Sequence, residues 1–162
     1  MTQRWLMFFL LVLATTFAHA SEDALFHDFE GQPRSVESFT GNGKWLVVMI
    51  WAHDCHVCNQ EAESYAQFHE AHKEQKATVL GISLDGVAKK ADAEAFIERH
   101  DLPFPNLLGE LEPTMLYYAM QTQSQFRGTP TLLLFDPEGK LRAAQAGAVP
   151  TTSIEAYIDK NS

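Results

Sequence analysis

The stretch Trp45-Leu-Val-Val-Met-Ile-Trp-Ala-His-Asp-Cys55-His-Val-Cys58 joins an apolar run to the two cysteines of the sequence, which has no others. The run is rich in valine and isoleucine and too short for a membrane span, which predicts a buried central strand. A helical pattern follows from Asn59 to Lys76, so Cys55 lies at or just before a helix N-terminus. Unpaired N–H groups and the helix dipole favour a negative thiolate there, which predicts a reactive thiol.

The rest of the chain alternates predicted strands and helices over a length that suits one domain. A second buried strand at 77–84 follows the first helix, so a parallel pairing with a right-handed crossover is expected. Helices are predicted at 91–100, 112–124 and 151–160, an extended piece at 104–108, and strands at 131–135 and 140–146 that pair antiparallel through the turn 136–139. Before the central strand, 26–32 predicts only a short strand and turn.

The first twenty residues have the three parts of a secretory signal peptide. Arg4 supplies a positive start, Trp5 to Phe17 is apolar, and Ala18-His-Ala20 is a cleavage pattern. We expect cleavage before Ser21, which leaves one domain at 21–162 in the periplasm or another exported location. Thirteen apolar residues fall short of the ~17–25 needed to cross a bilayer, so contact with the membrane is expected only if this segment is retained as an anchor.

Charge and cysteine spacing narrow the function classes. The chain has a formal charge of −9, and removal of Arg4 with the signal leaves 11 basic and 21 acidic residues, a charge of −10. A chain this acidic is a poor partner for nucleic acid. The two cysteines close almost no loop, so a stabilising disulfide is a poor explanation in an exported protein. Redox chemistry and metal binding remain.

The metal alternative uses the same cysteines with His53 and His56, four ligand types that suit copper or zinc. A metal chaperone is therefore the second hypothesis, although adjacent residues 55 and 56 would have difficulty converging on one ion from a helix start. Covalent haem attachment requires Cys-x-x-Cys-His, and residue 59 is asparagine.

Several features together resemble the TlpA/ResA-type periplasmic thioredoxin-like proteins over residues 24–160. They are the exported N-terminus, the motif Trp51-Ala-His-Asp-Cys55-His-Val-Cys58, the extra helix and strand between Asp85 and Gly128, and Gly128-Thr-Pro130-Thr before a strand and the Asp136-Pro-Glu-Gly139 turn. The resemblance implies an α/β protein with the thioredoxin fold. Its central mixed sheet would be flanked by helices, with an extra helix-strand insertion between the βαβ unit and the β-hairpin.

The resemblance also implies an activity, that of a thiol-disulfide oxidoreductase acting in the reductase direction without a cofactor. Cys55 would attack a substrate disulfide, and Cys58 would resolve the intermediate and leave a Cys55–Cys58 disulfide. Glu61 would accept a proton from Cys58, and Pro130 would be a cis-proline facing the pair. Substrate contacts are expected at Trp51, His56, Val57, Thr129 and Pro130. The expected partners are protein thiols and disulfides and an upstream membrane or periplasmic electron donor.

The sequence departs from the family pattern at two positions, and from the pattern of classical thioredoxins at a third. His56 stands where proline or glutamate is common, and a positive imidazole there would stabilise a Cys55 thiolate. Glu63 stands where the family usually has a proline, and the change affects whether the helix is kinked there. Met49 replaces the buried aspartate of classical thioredoxins, which makes Glu61 the main candidate for proton transfer. His56 and Glu61 have simple alternatives as a solvated histidine and a solvated helix carboxylate.

Overall fold

A computed structural model describes residues 25–162, and the predicted signal segment lies outside the described residues. Within residues 25–162 the chain forms seven strands and four α-helices. The strands are β1 Phe26–His27, β2 Pro33–Arg34, β3 Trp45–Trp51, β4 Ala77–Ser83, β5 Asn106–Gly109, β6 Thr131–Phe135 and β7 Leu141–Ala146. The helices are α1 His56–His72, α2 Lys90–Arg99, α3 Leu111–Thr122 and α4 Thr151–Asn161. None of the helices in this described range is long and apolar enough to cross a membrane.

The strands form one mixed sheet in the order β2-β1-β5-β4-β3-β6-β7. β3, β4 and β5 run parallel, whereas β6 is antiparallel to β3 and β7 is antiparallel to β6. The predicted parallel pair and the predicted hairpin are both confirmed. Because β3, β4 and β5 share one direction, the segments that follow them meet at one edge of the sheet, where α/β proteins commonly bind ligands.

All seven residues of β3 are buried, because both faces of the sheet are covered near this strand. Alternate side chains point to opposite faces. Trp45, Val47, Met49 and Trp51 belong to a core shared with α1, α2 and α4. Leu46, Val48 and Ile50 belong to a second core shared with α3. This burial explains why the sequence is apolar without interruption up to the segment that carries Cys55.

The largest difference from the sequence prediction is in α1, which spans His56–His72 rather than 59–76. The helix begins earlier because Cys55 caps it. It ends earlier because β4 starts at Ala77, and the residues between form turns held by hydrogen bonds to the carbonyl of His72. Glu63, in place of the proline, is exposed, and α1 continues through it without interruption. The later helices and strands agree with their predicted bounds within two residues.

Candidate active site

Cys55 and Cys58 lie at the carboxyl end of β3, and the structure joins them in a disulfide. Cys55 is the N-cap of α1, and its sulfur accepts a hydrogen bond from the backbone N–H of Cys58 at 3.1 Å. Cys55 is partly exposed, whereas Cys58 is 0% exposed and belongs to the core. An incoming group can therefore reach the first sulfur but not the second.

The segment between β3 and Cys55 is tied to the end of β4 by Asp85. The Asp85 carboxylate accepts hydrogen bonds from the backbone N–H of His53 at 3.0 Å and from the hydroxyl of Ser83 at 2.6 Å. Its second oxygen lies 2.5 Å from Nδ1 of His53. From the sequence, Asp85 marks only the boundary of the inserted helix and strand, and His53 is only part of the cysteine motif and a possible metal ligand. The one available signal was the aspartate directly after a buried strand.

On its other side the same segment is held by Asn59 in the first turns of α1. The amide nitrogen of Asn59 donates to the carbonyls of His53 and Cys55, at 3.1 and 2.9 Å. Its amide oxygen lies 2.9 Å from Nε2 of His100 and 3.3 Å from the guanidinium of Arg99. Burial, and then the charge of Arg99, lower the pKa of His100, which favours a neutral ring that donates to Asn59. Sequence reasoning used Asn59 only to exclude haem attachment.

The site rests on Trp51, which is 0% exposed. Its indole stacks on Phe96 of α2 at a ring separation of 4.2 Å and donates to the side-chain oxygen of Asn106 at 3.1 Å. Gly81 makes room for this pair, because a Cβ there would lie 1.8 Å from the Asn106 oxygen and 2.8 Å from the indole nitrogen. The expectation of a substrate contact at Trp51 is therefore corrected. The ring has no exposed surface and supports the site from below.

Glu61 lies one turn after Cys58 on α1 and is partly buried. Burial raises the pKa of its carboxyl above the ordinary value, while the backbone amide of Val149 acts in the opposite direction. Its neighbour Tyr65 donates to the carbonyl of Val149 at 3.3 Å, and burial followed by the charge of Glu61 raises the pKa of the Tyr65 hydroxyl. Glu61 is thus less solvated than an ordinary surface carboxylate.

The Thr129–Pro130 bond is cis, as the resemblance implies. In the register between β3 and β6, Ile50 lies opposite Thr131, so Pro130 comes level with the end of β3 that leads to the cysteines. Pro130 is buried and its carbonyl accepts from Gly147 at 2.8 Å, whereas Thr129 is partly exposed. Thr129 and Pro130 therefore lie at the same edge of the sheet as the end of β3.

The remaining expected residues begin α1, where His56 is exposed and Val57 is partly buried. The expected ligand set of both cysteines with His53 or His56 is not brought together. Among the described residues, the group with suitable spacing for a metal ion is His53, Asp54 and Asp85, which contains neither cysteine. The structure does not support the metal alternative, because the disulfide leaves no thiolate and Nδ1 of His53 already binds Asp85.

The sheet order, the cis-proline and the Cys-x-x-Cys disulfide at the start of α1 together define a thioredoxin-fold protein. The chain belongs to the AhpC/TSA family, whose family model matches residues 15–144. It is 26% identical over 120 residues to the thiol-disulfide oxidoreductase ResA of Oceanobacillus iheyensis, a match that covers 72% of this chain. The resemblance to TlpA/ResA-type proteins that the sequence indicated is thereby confirmed. The chain spans only 57% of the length of that relative.

Solved structures share the same fold. The thioredoxin domain of a Bacteroides vulgatus thiol-disulfide oxidoreductase is similar with a TM-score of 0.64 and 24% identity, over 82% of this chain and 91% of that one. A secreted Mycobacterium tuberculosis disulfide oxidoreductase has a TM-score of 0.65 and 20% identity, over 86% and 99%. StoA of Bacillus subtilis has a TM-score of 0.62 and 20% identity, over 82% and 93%. The fold class predicted from the sequence is confirmed.

Proposed function

We propose that this chain is an exported thiol-disulfide oxidoreductase that reduces disulfides in protein substrates. The observation that carries the proposal is the pair of unequal sulfurs at one helix start, with Cys55 partly exposed at the N-cap and Cys58 buried behind it. A helix N-terminus stabilises a thiolate, which is the nucleophilic form of cysteine. Cys55 is therefore the attacking sulfur and Cys58 the resolving one.

The reaction proceeds in two displacements. In the reduced protein the Cys55 thiolate attacks one sulfur of a substrate disulfide, so a mixed disulfide forms and the other substrate sulfur leaves as a thiolate. The Cys58 thiolate then attacks the Cys55 sulfur, forms the Cys55–Cys58 disulfide and releases the second substrate sulfur. Two electrons pass from the protein to the substrate, and each released thiolate takes up a proton. A donor dithiol reverses the two steps and restores the reduced protein.

The buried Cys58 must lose its proton before it can attack. Glu61 lies at i+3 from Cys58 on the same helix, where side chains are neighbours. Partial burial raises its pKa, which makes the carboxylate a better proton acceptor than a solvated one. We assign Glu61 this role.

Substrate is proposed to lie between two walls at this edge of the sheet. The exposed His56 and partly buried Val57 form the wall on α1, and Thr129 with Pro130, directly before β6, forms the other wall. Trp51 lies beneath them without touching the substrate. Since the walls belong to different elements, an extended segment carrying a disulfide would contact both.

Export is proposed from the signal pattern before Ser21, and the electron donor would then be a membrane or periplasmic dithiol protein. The solved relative from Mycobacterium tuberculosis is itself described as secreted. The intact mass of the exported protein tests this directly. A mass that begins at Ser21 is expected, and a mass that retains the apolar segment would indicate a membrane-anchored protein.

The activity is tested with the mature chain, reduced, desalted and mixed with a protein that has accessible disulfides, such as insulin. We expect two new substrate thiols for each protein oxidised. Cys55→Ser should give none, and Cys58→Ser should stop at a mixed disulfide. A wild-type protein that stays reduced in the presence of excess insulin would contradict the proposal.

A further inference from the structure

The carboxylate of Asp85, a residue outside the cysteine motif, has three hydrogen-bond partners. Its side chain is 3% exposed, and it accepts from Ser83 and from two separate groups of His53. The backbone N–H of Asp85 in turn donates to the Ser83 hydroxyl at 3.1 Å. Because a buried carboxylate is stable only when its oxygens are satisfied, these contacts fix its position at the end of β4.

The two contacts with His53 fix that residue in both position and orientation. One uses the backbone N–H at 3.0 Å and the other uses Nδ1 of the ring at 2.5 Å. A carboxylate oxygen accepts hydrogen bonds, so in this contact Nδ1 of His53 carries the proton. His53 is two residues before Cys55. A residue anchored at two points therefore stands two residues before the N-cap.

Asn59 completes the arrangement from the opposite side. It donates to the carbonyls of His53 and Cys55 and is itself held by His100 at the end of α2. The short segment 52–55 is thereby bound to β4 on one side and to α1 and α2 on the other. Without such anchors, a connecting segment of this length would sample several conformations.

We propose that Asp85 and His53 are positioning residues that hold the Cys55 sulfur at the start of α1 for attack. This inference rests on the proposed function, in which Cys55 is the nucleophile. The sulfur accepts the N–H of Cys58 only while the segment keeps its conformation, and a thiolate loses that stabilisation when it moves away. A nucleophile held in its reactive geometry also reacts faster than a mobile one.

The test measures the rate at which iodoacetamide modifies Cys55 in the reduced mature protein at pH 7, with peptide mapping to identify the modified thiol. Asp85→Ala and His53→Ala should each slow the reaction by about three- to tenfold, as expected for loss of one or two hydrogen bonds. The double variant should be no slower than the slower single variant, because the two residues act through each other. Asp85→Asn keeps one accepting oxygen and should recover part of the rate.

Asp54→Ala is the matched control. Asp54 lies in the same segment, is exposed, and takes no part in these hydrogen bonds, so its loss removes a nearby charge without removing an anchor. Wild-type rates for Asp85→Ala and His53→Ala would overturn the proposal, and so would an equal slowing by Asp54→Ala. Should Asp85→Ala fail to fold by circular dichroism, His53→Ala decides, since that side chain is 24% exposed. Alkylation needs no disulfide substrate, so this result is independent of whether the wild type reduces insulin.

Discussion

The sulfur of Cys55 lies 3.1 Å from the backbone nitrogen of Cys58, which donates a hydrogen bond to it across the first turn of α1. The contact makes Cys55 the cap of its own helix. The same turn that places Cys55 at the surface takes Cys58 into the core, where it is 0% exposed. One helix start thus gives the two sulfurs different surroundings.

The reactivity of the two thiols should differ accordingly. In the reduced protein Cys55 should be alkylated first, with a thiol pKa below the ~8.5 of a free cysteine. Cys58 should react only after unfolding. Mass spectrometry of the alkylated peptides over a pH series measures this. Faster modification of Cys58 would mean that the attacking and resolving roles are reversed.

Glu61→Gln should slow the resolution of the mixed disulfide by about tenfold or more, because the change removes a proton acceptor while keeping the side-chain size. Quenched-flow trapping of the mixed disulfide measures the step. Glu63→Gln is the control, since Glu63 is exposed on the same helix. Equal rates for Glu61→Gln and the wild type between pH 6 and 9 would reduce Glu61 to a passive carboxylate.

Glu61 should also affect how stability depends on pH. Burial raises its pKa in the folded protein above the ordinary 4.5, so the folded state favours the protonated carboxyl. Its contribution to stability is full below the ordinary value and is lost as pH rises through the raised one. The neutral Glu61→Gln variant should therefore gain stability relative to wild type on going from pH 4 to pH 7. Urea unfolding at both pH values checks the sign, and an unchanged difference would argue against the raised pKa.

His69 should make the fold sensitive to mild acid. It is 6% exposed, and its Nδ1 accepts from the backbone N–H of Val79 at 3.0 Å, which ties α1 to β4. Burial lowers its pKa from 6.5, so its contribution to stability is present above 6.5 and is lost as pH falls through the lowered value. His100 has a pKa lowered in the same direction.

The histidine contribution to the free energy of unfolding should therefore fall between pH 7 and pH 5, and His69→Gln should reduce that fall because an amide oxygen can accept without titrating. Urea denaturation at pH 7, 6 and 5 measures the effect, with exposed His27→Gln as the control. A fall of the same size in His69→Gln and wild type would assign the acid sensitivity to other groups.

Gly81→Ala should disturb the support beneath the cysteines. The added methyl group would overlap the Asn106 oxygen that accepts from Trp51, and we expect a loss of about 1–3 kcal/mol in stability. Because Asn106→Ala removes the atom that overlaps most, the double variant should lose less than the sum of the two single variants. Urea unfolding of the three variants measures the coupling, and strict additivity would show that the overlap is relieved elsewhere.

The central strand, the cysteine pair and the hairpin were predictable because each is encoded within a few neighbouring residues. The continuous apolar run of Trp45–Trp51 predicts burial on both faces, and the cysteines mark where that strand ends. The residues that hold the site were not predictable in the same way. Asp85 approaches His53, and His100 approaches Asn59, only after the strands have been ordered and α2 has been packed on α1.

Burial at particular residues depended on the same long-range packing. Glu61 and Tyr65 have a helical spacing that the sequence shows, but burial raises the pKa of each, and Val149, whose carbonyl accepts from Tyr65, comes from a distant part of the chain. The apolar run predicts Trp51 in a buried strand, and the resemblance adds a substrate contact for its ring. The stacking of Phe96 from α2 on the indole could not be inferred from the sequence. This contact helps to enclose the Trp51 ring in the core.

The central claim is that this protein donates electrons to disulfides, and its equilibrium reduction potential tests that claim most directly. A positive His56 near the thiolate would make the protein more oxidising, but a shift of about one pKa unit corresponds to only ~30 mV. The gap between thioredoxin at about −270 mV and the strong oxidant DsbA at about −120 mV is much larger. Equilibration of the Cys55–Cys58 pair with a thioredoxin or glutathione standard should therefore give a value nearer −270 mV, and a value close to −120 mV would contradict the account and make the protein a disulfide donor.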